Sequence, residues 1–231
     1  MLARARQLSW RPVKAPLNHM RLLFLEGRLN PQGPAIFIDR DGVINHRRAG
    51  DYVLSWSQFA FTPGIRQALR ELALLRLPII VISNQSAVGR GLLDASALET
   101  ITRRMQEALL NDGTPIAAVY YCTHKPEDGC ICRKPRPALL HRAAADFCID
   151  LANSVFIGDS DSDLRAAEAA GCQPVLFGPG LTACSDSAVW INGLPVAASA
   201  KELVGVVSKL LNKSTVNPAA PTYAPYGRVL T

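Results

Sequence analysis

The chain has 231 residues, 48% of them hydrophobic and 19% charged, with 25 Lys+Arg against 19 Asp+Glu and a formal net charge of +6. A chain of this length buries roughly 70% of its unfolded surface in one domain, so no disulfide scaffold is required to hold it. Its apolar runs stop far short of the ~20 residues of a membrane span, and none follows a charged start as in a signal peptide; a cytoplasmic protein without a membrane partner is expected.

Residues 1–33 lack sustained periodicity and end in the breaker cluster Asn30-Pro31-Gln32-Gly33-Pro34. They hold six basic residues against Glu26 alone, a balance of +5, whereas residues 34–200 hold 15 basic and 17 acidic, a balance of −2. We read 1–33 as a flexible basic extension, either an arm or a start upstream of Met20, and rank a transit peptide below both because Ser is scarce. The charge thus sits at the ends, and nucleic acid is not an expected partner of the core.

The ordered part begins at Ala35. Ala35 to Asp39 is a continuous apolar run, the pattern of a strand buried on both faces of a parallel sheet, and Ile79 to Ile82, Ala117 to Tyr121, Ser154 to Ile157 and Val175 to Phe177 resemble it. Helical patterns lie between them. Pro63 to Leu75 opens with Thr62 as N-cap and places Ile65, Leu69, Leu72 and Ala73 on one face. Asp94 to Leu110, Pro137 to Phe147 and Asp161 to Ala170 follow, the last closed by Gly171. Alternation of this kind predicts an α/β fold, a Rossmann-like three-layer parallel sheet flanked by helices, over residues 34–212. Residues 213–231 read as a disordered tail.

In such sheets ligands bind at the carboxyl ends of the strands, and that is where the polar residues fall. The first run ends in Asp39-Arg40-Asp41-Gly42; strand alternation puts Asp39 and Asp41 on one side with Arg40 pointing away. Two carboxylates in one small site call for a cation, and oxygen ligands suit Mg²⁺. By proximity to another acid, Asp41 is expected to be pushed toward its protonated form. The second run ends in Ser83-Asn84-Gln85-Ser86 and the fourth in Gly158-Asp159-Ser160-Asp161-Ser162-Asp163, while Arg133-Lys134-Pro135 puts two cations into a loop. Acids for a metal, a hydroxyl donor and a lysine together suit a phosphate group. Asn84, Gln85, Ser86, Arg133 and Tyr52 are the candidate substrate contacts.

Cys122-Thr123-His124 and Cys130-Ile131-Cys132 offer three thiols and an imidazole across a short loop, the spacing of a structural tetrahedral Zn²⁺ site. Zinc there would fix the loop that carries Arg133 and Lys134. Cys148, Cys172 and Cys184 read as ordinary buried thiols. His19, His46 and His141 receive no catalytic role, and among Trp10, Trp56 and Trp190 only Trp56 is placed to touch a substrate.

These residues resemble the haloacid dehalogenase-like (HAD) superfamily of phosphotransferases, whose four motifs occur in order over residues 35–177. The resemblance implies that Asp39 is the nucleophile, that Asp41 is general acid and then base, and that Ser83 and Lys134 hold the transferring phosphoryl oxygens. It implies that Mg²⁺ is held by Asp39, Asp159 and the backbone carbonyl of Asp41, with Asp163 in support and Asp161 capping the next helix. The zinc loop before Arg-Lys-Pro looks like the branch containing D-glycero-D-manno-heptose 1,7-bisphosphate 7-phosphatases and histidinol-phosphate phosphatases, neither with a large cap domain. Arg47, Arg48, Ala138 and Ser160 depart from that branch. The expected activity is hydrolysis of a small sugar phosphate by a monomer, heptose bisphosphate first and histidinol phosphate or another small phosphomonoester second. The rival of a different class is a zinc-containing nucleic-acid-binding or scaffold module.

Overall fold

The computed structural model describes residues 13–14, 33–46, 52–178, 189–191 and 193–213. Arg47, Arg48, His19, Trp10 and Cys184 lie outside them, as does most of the basic extension and nearly all of the tail. Eight strands form one sheet: β1 (Val13–Lys14), β2 (Ile36–Ile38), β3 (Ile79–Asn84), β4 (Ile116–Cys122), β5 (Val155–Gly158), β6 (Gln173–Phe177), β7 (Val189–Ile191) and β8 (Leu194–Ala197). Their order is β1-β4-β3-β2-β5-β6-β8-β7. The six central strands run parallel, and β1 and β7 add antiparallel to the two edges.

Among the described residues six helices accompany the sheet: α1 (Ile65–Ala73), α2 (Ser86–Gly89), α3 (Ala95–Asn111), α4 (Ala138–Phe147), α5 (Asp161–Ala170) and α6 (Ala200–Lys213). One face of the sheet packs against α1, α3 and α6 through Ile65, Leu69, Met105, Leu203 and Val207. The other packs against α4 and α5 through Leu140, Phe147, Ala166 and Ala170. Ile36 and Ile38 face the first cluster while Phe37 faces the second, so β2 is buried on both sides as a continuous apolar run requires. The expected three-layer α/β architecture is the one observed. Among the described residues no separate cap domain is present, only a 3₁₀ turn at Trp56–Gln58 and a bridge between Asn45 and Phe61. No helix among them is long and apolar enough to cross a membrane.

Local differences from the sequence reading have identifiable causes. α1 starts at Ile65 because Gly64 takes the left-handed conformation (φ 75°) and serves as N-cap; Thr62, the expected cap, keeps its hydroxyl buried without a partner. α5 is capped by Ser160, whose N–H and hydroxyl both donate to Asp163, so Asp161 is not the cap but pairs with Arg165 one turn on. Cys172 is buried as expected, but Cys148 is exposed, since it ends α4 in a left-handed conformation and turns outward. Ala138 opens α4. Within 1–33, Val13 and Lys14 pair with Val119 and Ala118. β8 and α6 lie within the predicted domain, although the apolar runs that predict strands stop at β6.

The order of strands decides where a ligand can bind. From β2 the chain proceeds outward through β3 and β4 on one side, and then through β5, β6 and β8 on the other. The crevice at the carboxyl ends of β2 and β5 is therefore the topological switch point.

Candidate active site

Asp39 follows β2 directly, anchored by its N–H to Ile157 O (2.9 Å). Its Oδ1 accepts from the Arg40 N–H (2.7 Å) and from Lys134 Nζ (2.9 Å), which leaves Oδ2 as the oxygen free of those donors. Lys134 is 4% exposed and is also bound by Asp163 Oδ1 (2.6 Å) and Ile82 O (2.9 Å), with its ammonium 5.4 Å from the Phe156 ring centroid. A cavity of about 260 Å³ opens above, lined by Asp39, Asp41, Ser83, Lys134 and Asp159 and rimmed by Tyr52, Ser86, Arg133, Ser160 and Ser162. All four motifs thus meet at the switch point. Trp56 does not line the cavity; it stacks on Phe59 with ring centroids 4.9 Å apart.

Carboxylate oxygens of Asp39, Asp159 and Asp163 lie within 4.8 Å of one another. Burial pushes the Asp39 carboxyl up to about 7, with the negative charges of Asp163 and Asp41 adding to it and Lys134 opposing. Ionising Asp39 in this cluster is costly unless a cation offsets the neighbouring charges, and the all-oxygen donor set fits a hard divalent ion. Asp163 uses Oδ1 for Lys134 and Oδ2 for Ser160, so both of its oxygens already face donors. Two glycines make the cluster possible. Gly42 sits at φ 95°, and a Cβ there would overlap the Asp159 carboxylate; a Cβ on Gly158 would overlap Asp163.

Asp41 differs from its expectation on both counts. β2 ends at Ile38, so strand alternation no longer applies at Arg40, and its guanidinium turns back onto Asp41 (Nη2 to Oδ1 and Oδ2, 2.9 Å each). Burial alone would push the Asp41 carboxyl up. The Arg40 charge and hydrogen bonds from Asn45 Nδ2 (2.9 Å) and Gln85 Nε2 (2.7 Å) outweigh it and hold Asp41 below the usual carboxylate range. Its carboxylate is absent from the three-acid cluster.

Two of the candidate substrate contacts have other uses. Asn84 clamps the backbone of Lys134, its Nδ2 donating to Lys134 O (3.2 Å) and its Oδ1 accepting from Lys134 N–H (3.1 Å). Gln85 is 3% exposed and divides its amide between Arg40, Asp41 and Ser83. Because the Ser83 hydroxyl accepts from Gln85 Nε2 (3.1 Å), its own proton is available to an oxygen in the cavity. Ser86, Tyr52 and Arg133 do reach the rim; Tyr52 Oη lies 3.4 Å from Ser86 Oγ. Sequence reasoning missed Arg40 and Asn45, and the arginine between two acids was the available signal.

The second cluster gathers Cys122, His124, Cys130 and Cys132. Cys130 Sγ lies 3.5 Å from both Cys122 Sγ and Cys132 Sγ, and His124 Nδ1 lies 3.8 Å from Cys122 Sγ and 3.3 Å from Cys132 Sγ. A tetrahedron with metal–sulfur bonds of roughly 2.3 Å has edges of about 3.7 Å, close to these values. The loop also packs against α2: the Gln85 N–H donates to Cys122 O (2.7 Å), and Gly89 lies so close to the 123–125 backbone that a Cβ would collide with it.

A HAD-hydrolase-like profile matches residues 131–203. D-glycero-beta-D-manno-heptose-1,7-bisphosphate 7-phosphatase of Pseudomonas aeruginosa is 37% identical over 145 residues, 63% of this chain and 81% of the relative. The chain belongs to the HAD-like phosphatases. A D-glycero-alpha-D-manno-heptose-1,7-bisphosphate 7-phosphatase of Mycobacterium tuberculosis is 39% identical over 154 residues, 62% of this chain and 78% of that protein. The crystal structure of D,D-heptose 1,7-bisphosphate phosphatase from B. bronchiseptica, complexed with magnesium and phosphate, superposes with a TM-score of 0.66 at 33% identity, covering 78% of this chain and 99% of that one. The chain is accordingly a phosphoric monoester hydrolase, which removes the scaffold and nucleic-acid-module reading.

Two outcomes follow for this HAD-like phosphatase. Gly42→Ala should fold, by circular dichroism, yet bind Mg²⁺ at least ~10-fold more weakly by titration calorimetry, because the added methyl displaces Asp159. Mg²⁺ affinity should also depend on pH. Below about 7 Asp39 carries a proton that the cation must displace, so affinity should fall up to ~10-fold per pH unit on acidification and level off above 8. A flat profile between pH 6 and 8 would contradict the Asp39 assignment.

Proposed function

We propose that this phosphatase removes one phosphate from a D-glycero-D-manno-heptose 1,7-bisphosphate, at C7, through an aspartyl-phosphate on Asp39. The observation that carries the chemistry is the buried Lys134 ammonium held between Asp39 and Asp163 at the floor of the cavity. The substrate is supported by relatives named for that heptose bisphosphate, of both anomeric forms.

In the first half-reaction an oxygen of Asp39 attacks phosphorus and the bond from phosphorus to the C7 oxygen breaks. Lys134 and the Ser83 hydroxyl hold the equatorial oxygens, where negative charge is concentrated in the transition state. Mg²⁺, on Asp39, Asp159 and the Asp41 carbonyl, would neutralise phosphate charge and fix its orientation. Asp41 gives a proton to the leaving alkoxide. It is ionised in the free protein, so it takes up that proton as the anionic substrate seats beside it, since a nearby negative charge raises a carboxyl pKa. In the second half-reaction water attacks the aspartyl-phosphate, its proton passes to Asp41, and the bond to Asp39 breaks to release inorganic phosphate.

Arg133, at the rim and bonded only weakly to His124 O (3.5 Å), is placed to meet the substrate's second anionic group. Histidinol phosphate presents a cationic amine there instead, which Arg133 would repel. Zn²⁺ is the metal we assign to Cys122, His124, Cys130 and Cys132, on the tetrahedral spacing of the four donors.

A panel of phosphate esters tests this reading: kcat/KM for the heptose 1,7-bisphosphates should exceed that for histidinol phosphate and fructose 1,6-bisphosphate by ~100-fold or more. Preference for histidinol phosphate would overturn it. Asp39→Asn should abolish turnover while leaving the thermal transition in place. Metal analysis of the purified protein should return about one equivalent of zinc, and its removal by a chelator should lower the melting temperature.

A further inference from the structure

Arg40 lies between the two acids of the first motif and is 0% exposed. Nη2 donates to both oxygens of Asp41 at 2.9 Å and Nε to Oδ1 at 3.2 Å, a fork on one carboxylate. The same Nη2 donates to Gln85 Oε1 at 2.9 Å, and the guanidinium carbon stands 5.7 Å from the ring centroid of Tyr121, whose hydroxyl is bonded to Thr102 Oγ1 (2.9 Å). Gln85 in turn donates from Nε2 to Asp41 Oδ2 and Ser83 Oγ.

An amide side chain has an oxygen end and a nitrogen end, and which way it points is set by its neighbours. Arg40 carries donors only. It therefore holds Oε1 toward itself and leaves Nε2 for Asp41 and Ser83; the flipped amide would aim an acceptor at the Asp41 carboxylate. Stability alone does not call for an arginine at this position, since a buried ion pair exchanged for apolar side chains of similar volume is often neutral or favourable.

We propose that Arg40 is a positioning residue for the reaction. Directly it sets the direction of the Asp41 carboxylate, and through the amide of Gln85 it sets the Ser83 hydroxyl, so one buried cation aligns two groups that handle the leaving oxygen and the phosphoryl oxygens. This rests on the acid–base role assigned to Asp41, and the test separates the two.

Single-turnover rates of leaving-group release, which report the first half-reaction alone, are compared for a sugar phosphate, whose alkoxide needs a proton, and for p-nitrophenyl phosphate, whose leaving group departs without one. The variants are Arg40→Met, Arg40→Lys, Gln85→Leu and Asp41→Asn, each checked for a native circular dichroism spectrum. Arg40→Met and Arg40→Lys should lower the single-turnover rate on the sugar phosphate ~100-fold, with the half-saturating concentration changed less than ~3-fold, and lower the p-nitrophenyl rate at least ~10-fold less. Lysine keeps the charge but not the fork, so it should fail to rescue. Should Arg40→Met not fold, Arg40→Lys and Gln85→Leu carry the same comparison. Equal losses on both substrates in these variants, with Asp41→Asn still selective for the sugar phosphate, would overturn the positioning role. Equal losses in Asp41→Asn itself would instead overturn the role of Asp41 as acid toward the leaving group, and the proposal with it.

Discussion

The ammonium of Lys134 touches Asp39 from β2, Ile82 from β3 and Asp163 from α5, and it faces Phe156 of β5. Each of these neighbours comes from a different element, so a single buried charge ties the ends of three adjacent strands and one helix to a common point. Removing one partner of a buried ion pair costs about 3–5 kcal/mol, because the remaining charge stays buried. The rest of the site serves this arrangement. Asn84 clamps the Lys134 backbone from β3, the loop of Cys122 to Cys132 leads directly into it, and Gly158 makes room for the Asp163 side chain.

The parallel core was readable because its strands are buried on both faces, and a short unbroken apolar run bounded by polar residues suits little besides such a strand. Placing Asp39, Ser83, Lys134 and Asp159 at the carboxyl ends of the central strands followed from the same pattern, since each sits where such a run stops or in the loop facing it. Other features were out of reach for physical reasons. The direction of Arg40 depends on β2 ending one residue before Asp39, a fact of hydrogen bonding rather than of composition. The uses of Asn84 and Gln85 depend on partners about fifty positions away or on a guanidinium that turns back. β8 is four residues long and contains Pro195, so propensity argued against it. α6 is a different case: Leu203, Val206, Val207 and Leu210 repeat at helical spacing and bury one face, a signal present in the sequence.

The two clusters of metal-binding side chains divide the work by chemistry. Thiolates and imidazole suit zinc, which would fix a loop that otherwise has only a 3₁₀ turn, whereas carboxylates at the strand ends suit a hard ion that can share its coordination with substrate oxygens. Zinc on the first, as proposed, would shape the position of Arg133 and Lys134 without entering the reaction. The second stands in the cavity where phosphate must arrive.

Charge balance in that cavity explains why the second ion is needed. Asp39, Asp41, Asp159 and Asp163 are opposed by Arg40, Arg133 and Lys134, which leaves a net negative site when all are ionised. A phosphate monoester dianion approaching such a site would be repelled, and burial of Asp39 already strains its ionisation. A divalent cation reverses the sign to a small net positive charge and relieves the strain on Asp39 with the same stroke. The global charge of +6 does neither, because it lies in the terminal segments while the cavity responds to these seven side chains. Electrostatic selection for one phosphate group is thus local, set by a near-cancelling set of buried charges that only a bound cation tips toward the substrate.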